Sequence, residues 1–157
     1  MAQKVKLQTK LAENRTALFT LLHSLSEEEW QTAVFSEETI WTVADMVRHL
    51  ESAERGMITL MAGIQQGGAG VPADFDLARY NASRIQKTKE KRPSALLVDM
   101  QKNREALLAF MESLTAEDWQ KKGRHGTLRI MTIAEICHII ADHEALHTDD
   151  IKKAVGR

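Results

Sequence analysis

The sequence predicts an all-α fold, a four-helix bundle spanning residues 1–157 as one domain, and three observations predict it. Apolar residues recur at helical spacing through four long segments. The 2 prolines and 8 glycines leave those segments almost free of helix breakers. No run of residues alternates with the period of two that a half-buried strand needs, so no strand is expected.

The first helix carries Leu7, Leu11, Leu18, Leu22 and Leu25 on one face. Its extra apolar positions, Phe19 and Leu21, suggest a surface for a second copy, hence a homodimer. The second helix opens at Thr42-Val-Ala-Asp45, where a threonine cap precedes an acidic residue at the third helical position. Behind it Val43, Met46, Val47, Leu50, Met57, Met61 and Ile64 form one stripe, and Gly67-Gly-Ala-Gly70 stops it. About 25 residues then separate the second and third helices, too many for a structureless loop. A short extra helix is therefore expected around Phe75-Asp-Leu-Ala-Arg-Tyr80. So long a crossover also lets the third helix run parallel to the second.

The third helix starts near Pro93, a residue suited to the first helical position, and continues through Leu97, Met100, Leu107, Met111 and Leu114. The fourth opens on Thr132-Ile-Ala-Glu135, a full capping box, and carries Ile133, Ile136, Cys137, Ile140 and Ile151. The chain also echoes itself. Ser24-Leu-Ser-Glu-Glu-Glu-Trp30-Gln precedes the Thr42 cap, and Ser113-Leu-Thr-Ala-Glu-Asp-Trp119-Gln precedes the Thr132 cap. Two helix–linker–helix halves are expected, with Trp30 and Trp119 plugging equivalent ends.

Composition narrows the partners. Hydrophobic residues at 43% and charged residues at 27% suit a soluble globular chain. A net charge of −1 gives no electrostatic reason to expect nucleic acid or an anionic membrane, and neither is expected as a partner. With Cys137 as its one cysteine, the chain has no internal disulfide and fits a reducing compartment. The N-terminal residues lack a signal-peptide apolar run, and no stretch reaches membrane-spanning length, so the expected location is cytoplasmic.

The histidines sort by helical angle. Taking Ile140 as the centre of the fourth helix's stripe, His143 lies about 60° and His147 about 20° away, both inward, while His138 faces out. His49 lies about 100° from Leu50, at the edge of the second helix's stripe, where it can reach a neighbouring helix. Histidines four residues apart on one face can share a metal ion, and a third from another helix leaves a coordination position for water or substrate. His23 and His125 show no partner pattern.

Two acidic residues point inward. Glu144, about 40° from the stripe centre, is a candidate general base or an ion-pair residue. Glu54, about 40° from its own stripe centre, either assists a ligand imidazole or pairs with Arg104. His143-Glu-Ala-Leu-His147 also matches the zinc-protease motif H-E-x-x-H. Ten residues after His147 offer no third ligand beyond Asp149 or Asp150, and no strand is expected to hold a peptide, so a protease is not expected. Cys137 stands about 9 Å along the helix from His143 and reads as a buried thiol. The basic run Arg84, Lys87, Lys89, Lys91 and Arg92 lacks interleaved aromatics and reads as a solvated face.

Thr42-Val-Ala-Asp-Met-Val-Arg-His49-Leu, Phe75-Asp-Leu-Ala-Arg-Tyr80-Asn-Ala and His143-x-x-x-His147-x-x-x-Ile151 together resemble the DinB-like (DinB/YfiT-like) superfamily over nearly the whole chain. The resemblance implies an up-down-down-up bundle, frequently dimeric. It also implies that His49, His143 and His147 bind a divalent ion, zinc or nickel first. Activities in the superfamily include transferases and isomerases that use low-molecular-weight thiols, and metal-dependent hydrolysis. The chain departs from the family's usual Gly-Gln-Ile after the last histidine, reading Thr148-Asp149-Asp150-Ile151. The expected function is thus activation of water or a thiol at a three-histidine metal site acting on a small-molecule substrate. The alternative is a non-catalytic, stress-related dimeric bundle or small-molecule binder.

Overall fold

A computed structural model describes residues 2–157, and in it the four periodic segments fold as the long helices of a bundle. They are α1 (Ala2–His23), α2 (Val43–Gln65), α4 (Pro93–Ser113) and α6 (Ile133–Val155). Two core clusters give their directions. One end holds Leu18, Leu22, Val43, Val47, Leu96, Met100 and Ile151. The other holds Leu7, Leu11, Met61, Ile64, Leu107, Met111 and Ile133. So α1 and α6 run one way, α2 and α4 the other, and the order is up-down-down-up. Within it α2 packs against both α4 and α6, and α1 packs against α6. Leu21 lies in the core, which corrects its reading as part of a surface for a second copy; Phe19 is half-buried and packs against the same core.

The expectation of no strands is also corrected. Each half carries an antiparallel hairpin: β1 (Ala33–Ser36) with β2 (Thr39–Thr42), and β3 (Lys122–Arg124) with β4 (Ile130–Thr132). Strands of three or four residues place one or two side chains on each face, too few for alternation to register. Both hairpins feed directly into a helix cap. The N–H of Val43 donates to Thr32 O, and that of Ile133 to Lys121 O, each at 3.0 Å. The sequence echo is therefore structural. Trp30, in a 3-10 turn before β1, sits in the core at one end; Trp119, in α5 (Ala116–Trp119), packs at the opposite end.

At α6 the Thr132 and Glu135 side chains close the full capping box. At α2 Thr42 accepts from the N–H of Asp45, but the Asp45 carboxylate turns away to Arg48 and Lys89. Arg48 in turn donates to the carbonyls of Thr88, Lys89 and Lys91. The basic run is thus partly a clasp that holds the loop before α4 onto α2.

The crossover holds α3 (Leu77–Lys87), capped by Asp76 and longer than the short helix expected. Its first residues are stitched to β3: Arg124 N–H donates to Ala69 O at 2.8 Å, and Val71 N–H to Arg124 O at 2.9 Å. Between them Gly70 has φ of +91°, and a Cβ there would lie 2.2 Å from the Arg124 nitrogen. Gly70→Ala should therefore lower unfolding stability by at least about 2 kcal/mol, through left-handed strain and a backbone clash. The check is the urea midpoint; an unchanged midpoint would show that the stitch bears no load.

Candidate metal centre

Packing of α2 against α6 brings His49 to the pair on α6. The Nε2 atoms of His49 and His143 lie 2.9 Å apart, and those of His147 and His143 lie 3.0 Å apart. The three rings stand edge to face, at interplanar angles of 75° to 81°. His49 and His147 are buried and His143 is half-buried. A neutral imidazole offers one N–H and one lone pair. The Nε2 of His143 faces two others, and its one N–H or one lone pair can make a linear hydrogen bond to only one of them. One divalent cation accepts all three lone pairs, so the donor set fits a metal ion.

Electrostatics favour the ligating form. Burial pushes His49 down to about 4, with His147 adding to the shift. Burial also holds His143 well below the usual histidine range, aided by His49, His147 and His125. Both are neutral imidazoles near pH 7. The remote nitrogen of His147 is held in turn. Its Nδ1 lies 3.1 Å from Asp150 Oδ2, which also accepts from Ser36 Oγ at 2.6 Å. A carboxylate on Nδ1–H leaves the Nε2 lone pair free to ligate. The family departure at residue 150 is therefore an oriented carboxylate behind a candidate ligand. His49 Nδ1 is buried without a hydrogen-bond partner, beside the Trp41 ring, whose centroid is 5.1 Å from that of His49.

Glu54 and Glu144 do point inward, yet their carboxylates meet arginines. Arg15 Nη2 lies 2.9 Å from Glu54 Oε1 and 2.7 Å from Glu144 Oε1. Arg104 Nη2 lies 3.1 Å from Glu54 Oε1 and 3.2 Å from Glu144 Oε2. All four side chains are buried, one from each long helix. The Glu54–Arg104 pair was legible in the sequence; Arg15, on α1, was not. Among the described residues neither carboxylate hydrogen-bonds a histidine. His138 is exposed, and Cys137 is buried with its thiol pushed up to about 12 by that burial.

A cavity of about 310 Å³ opens beside His49 and His143. Its wall includes Met57 and Leu60 of α2, Phe75, Leu77 and Tyr80 of the crossover, and Ile139 of α6. The β3–β4 turn contributes His125, which showed no partner pattern in the sequence. His125 is buried, and its Nδ1 accepts from Thr127 N–H at 3.2 Å, placing its proton on Nε2. Burial lowers its pKa, with Arg129 adding to the shift. Gly56 makes room for Tyr80, whose hydroxyl would lie 3.1 Å from a Cβ at that position.

Comparison with known proteins places the chain in a family. The family model described as the DinB superfamily matches residues 10–151. No curated protein sequence matches the chain. Among solved structures, YfiT from Bacillus subtilis, a probable metal-dependent hydrolase with an unusual four-helix bundle topology, aligns at TM-score 0.77 and 19% identity, over 99% of this chain and 89% of its own. A mycothiol-dependent maleylpyruvate isomerase aligns at TM-score 0.78 and 14% identity, over 94% of this chain; the match spans 60% of the isomerase. The colibactin self-resistance protein ClbS, in complex with a dsDNA, aligns at TM-score 0.79 and 15% identity, over 98% and 96% of the two chains. At these identities the likeness is one of fold. The ClbS complex corrects the exclusion of nucleic acid drawn from net charge, since this fold meets duplex DNA in that protein. Net charge is a sum over the whole chain, whereas phosphates meet a local array of side chains. No helix among the described residues is long and apolar enough to cross a membrane.

Proposed function

The chain belongs to the DinB superfamily, and on that premise we propose a divalent-metal-dependent enzyme of the thiol-dependent transferase or hydrolase type. His49, His143 and His147 would hold one ion, zinc or nickel first, beside the cavity that takes the substrate. The observation that carries this reading is the convergence of three Nε2 atoms at the cavity's edge. Bound there, such an ion supplies the Lewis acidity that lowers the pKa of a water or thiol toward neutrality.

The chain's own residues supply the rest. Asp150 and Ser36 fix the tautomer and orientation of His147. Met57, Leu60, Phe75 and Ile139 exclude water around the apolar part of a substrate. His125, neutral and with its proton on Nε2, is placed to donate that proton within the cavity. In this reading Glu54 and Glu144 are not bases; Arg15 and Arg104 occupy their oxygens. A thiol co-substrate draws support from the mycothiol-dependent relative, and hydrolysis from YfiT.

The test is elemental analysis of untagged protein after loading with zinc or nickel and dialysis. About one ion per chain is expected. Asp150→Asn should bind the same ion about 10- to 100-fold more weakly in chelator competition, with its fold unchanged. Thiol-transfer and hydrolysis screens follow on the loaded protein. Negligible metal in the wild type would leave the histidines as packing residues and remove the enzyme reading.

A further inference from the structure

We propose that the cavity takes a ligand with an apolar body and a cationic, amine-type head, and that Glu37 is the residue that selects it. This rests on the cavity being the substrate site of the proposed function, and it adds the substrate's charge. Among the described residues that line the cavity there is no lysine or arginine, and Glu37 is the one carboxylate. At the mouth, away from the ion proposed at the histidines, a carboxylate- or phosphate-bearing head would find no side-chain cation and would face the like charge of Glu37. An apolar body fits walls made by Met57, Leu60, Phe75 and Leu77.

The placement of Glu37 has its own signature. It is the first central residue of the β1–β2 turn, followed by Glu38, and both have positive φ, 47° and 68°. Turns of this kind favour asparagine and glycine, because an ordinary side chain is strained there. Two adjacent carboxylates also repel. Such strain collects where a side chain is needed for function. The turn is anchored to the candidate metal centre as well: Thr39 Oγ1 donates to Ser36 O at 2.7 Å, and Ser36 Oγ reaches Asp150 behind His147. Glu37 is exposed yet lines the cavity, so it stands at the mouth, with the apolar walls beyond it. Its neighbour Glu38 does not line the cavity.

Three near-isosteric probes test this: 2-naphthylmethylamine, 2-naphthalenemethanol and 2-naphthoate, titrated by naphthalene fluorescence. The titrations use full-length protein, both zinc-loaded and metal-free. The preference of amine over carboxylate is read without metal, where no ion attracts the carboxylate, and the loss of amine affinity on substituting Glu37 is read in both. Wild type should bind the amine about tenfold tighter than the carboxylate, with the alcohol between. Glu37→Gln and Glu37→Asn should each reduce that preference to about twofold or less. Asparagine suits the turn, so its effect reports the lost charge rather than a damaged hairpin. Equal binding of amine and carboxylate, a preference that survives both variants, or no saturable binding of any probe would overturn the proposal. Metal content, measured separately, reports on the three-histidine reading, so the two can fail independently.

Discussion

Replacing His143 by alanine should abolish metal binding while leaving the bundle folded. Both short nitrogen–nitrogen approaches run through this residue: His49 at 2.9 Å and His147 at 3.0 Å. Without it the remaining pair comes from two different helices, with ring centroids 5.3 Å apart. Affinity should fall at least about hundredfold, beyond the loss expected from a supporting residue such as Asp150. The fold should survive because His143 is half-buried and its Nε2 faces the other histidines rather than the apolar core. Two measurements check this. Elemental analysis should find about one ion per chain in loaded wild type and almost none in the variant. Zinc should raise the wild-type melting temperature and leave the variant's unchanged, since a ligand stabilises only the state it binds. If zinc raised both melting temperatures equally, the ion would lie elsewhere and the three histidines would not be its site.

The largest stability effect should come from Arg104→Met. Arg104 and Arg15 share Glu54 and Glu144 in a buried ring of two positive and two negative side chains. Removing one arginine leaves two carboxylates facing a single cation, with little water to solvate the excess charge. Breaking one partner out of a buried ion pair costs about 3 to 5 kcal/mol. Arg104 Nη1 also donates to Leu11 O at 2.7 Å, and that carbonyl loses its donor too. Urea unfolding should show the drop as a lower midpoint at unchanged slope. The double variant Arg104→Met, Glu54→Leu keeps the Arg15–Glu144 pair and balances charge, so it should recover most of the loss. If the single variant were as stable as wild type, the ring would not be holding the four helices together.

The two carboxylates show why an inward angle is not a role. Helical geometry predicted that Glu54 and Glu144 face the bundle interior, and they do. What they meet there depends on α1, whose Arg15 lies 129 residues from Glu144 along the chain. The same limit applied around the histidines. His143 and His147 share a face because they stand one helical turn apart, which is local. The reach of His49 to them depends on how α2 packs against α6. In the sequence its place rested on a stripe-edge position and on a family resemblance.

The parts that local sequence determined are those that local physics settles. The Thr42 and Thr132 caps, Pro93 at a helix start, the Gly67–Gly70 stop and the apolar stripes gave four helices and the starts of three of them. The length of the crossover allowed α2 and α4 to run parallel. The repeated Trp-to-Thr spacing gave the two halves. Tertiary structure alone decided what distant segments do to one another. The hairpins became visible through their pairing, since three or four residues carry too little periodicity. Through them Ser36 reaches Asp150, Arg124 stitches the crossover, and Glu37 and His125 join the cavity. A side chain's partner is set by a packing minimum summed over the whole chain, whereas a cap or an apolar stripe is set within a few residues.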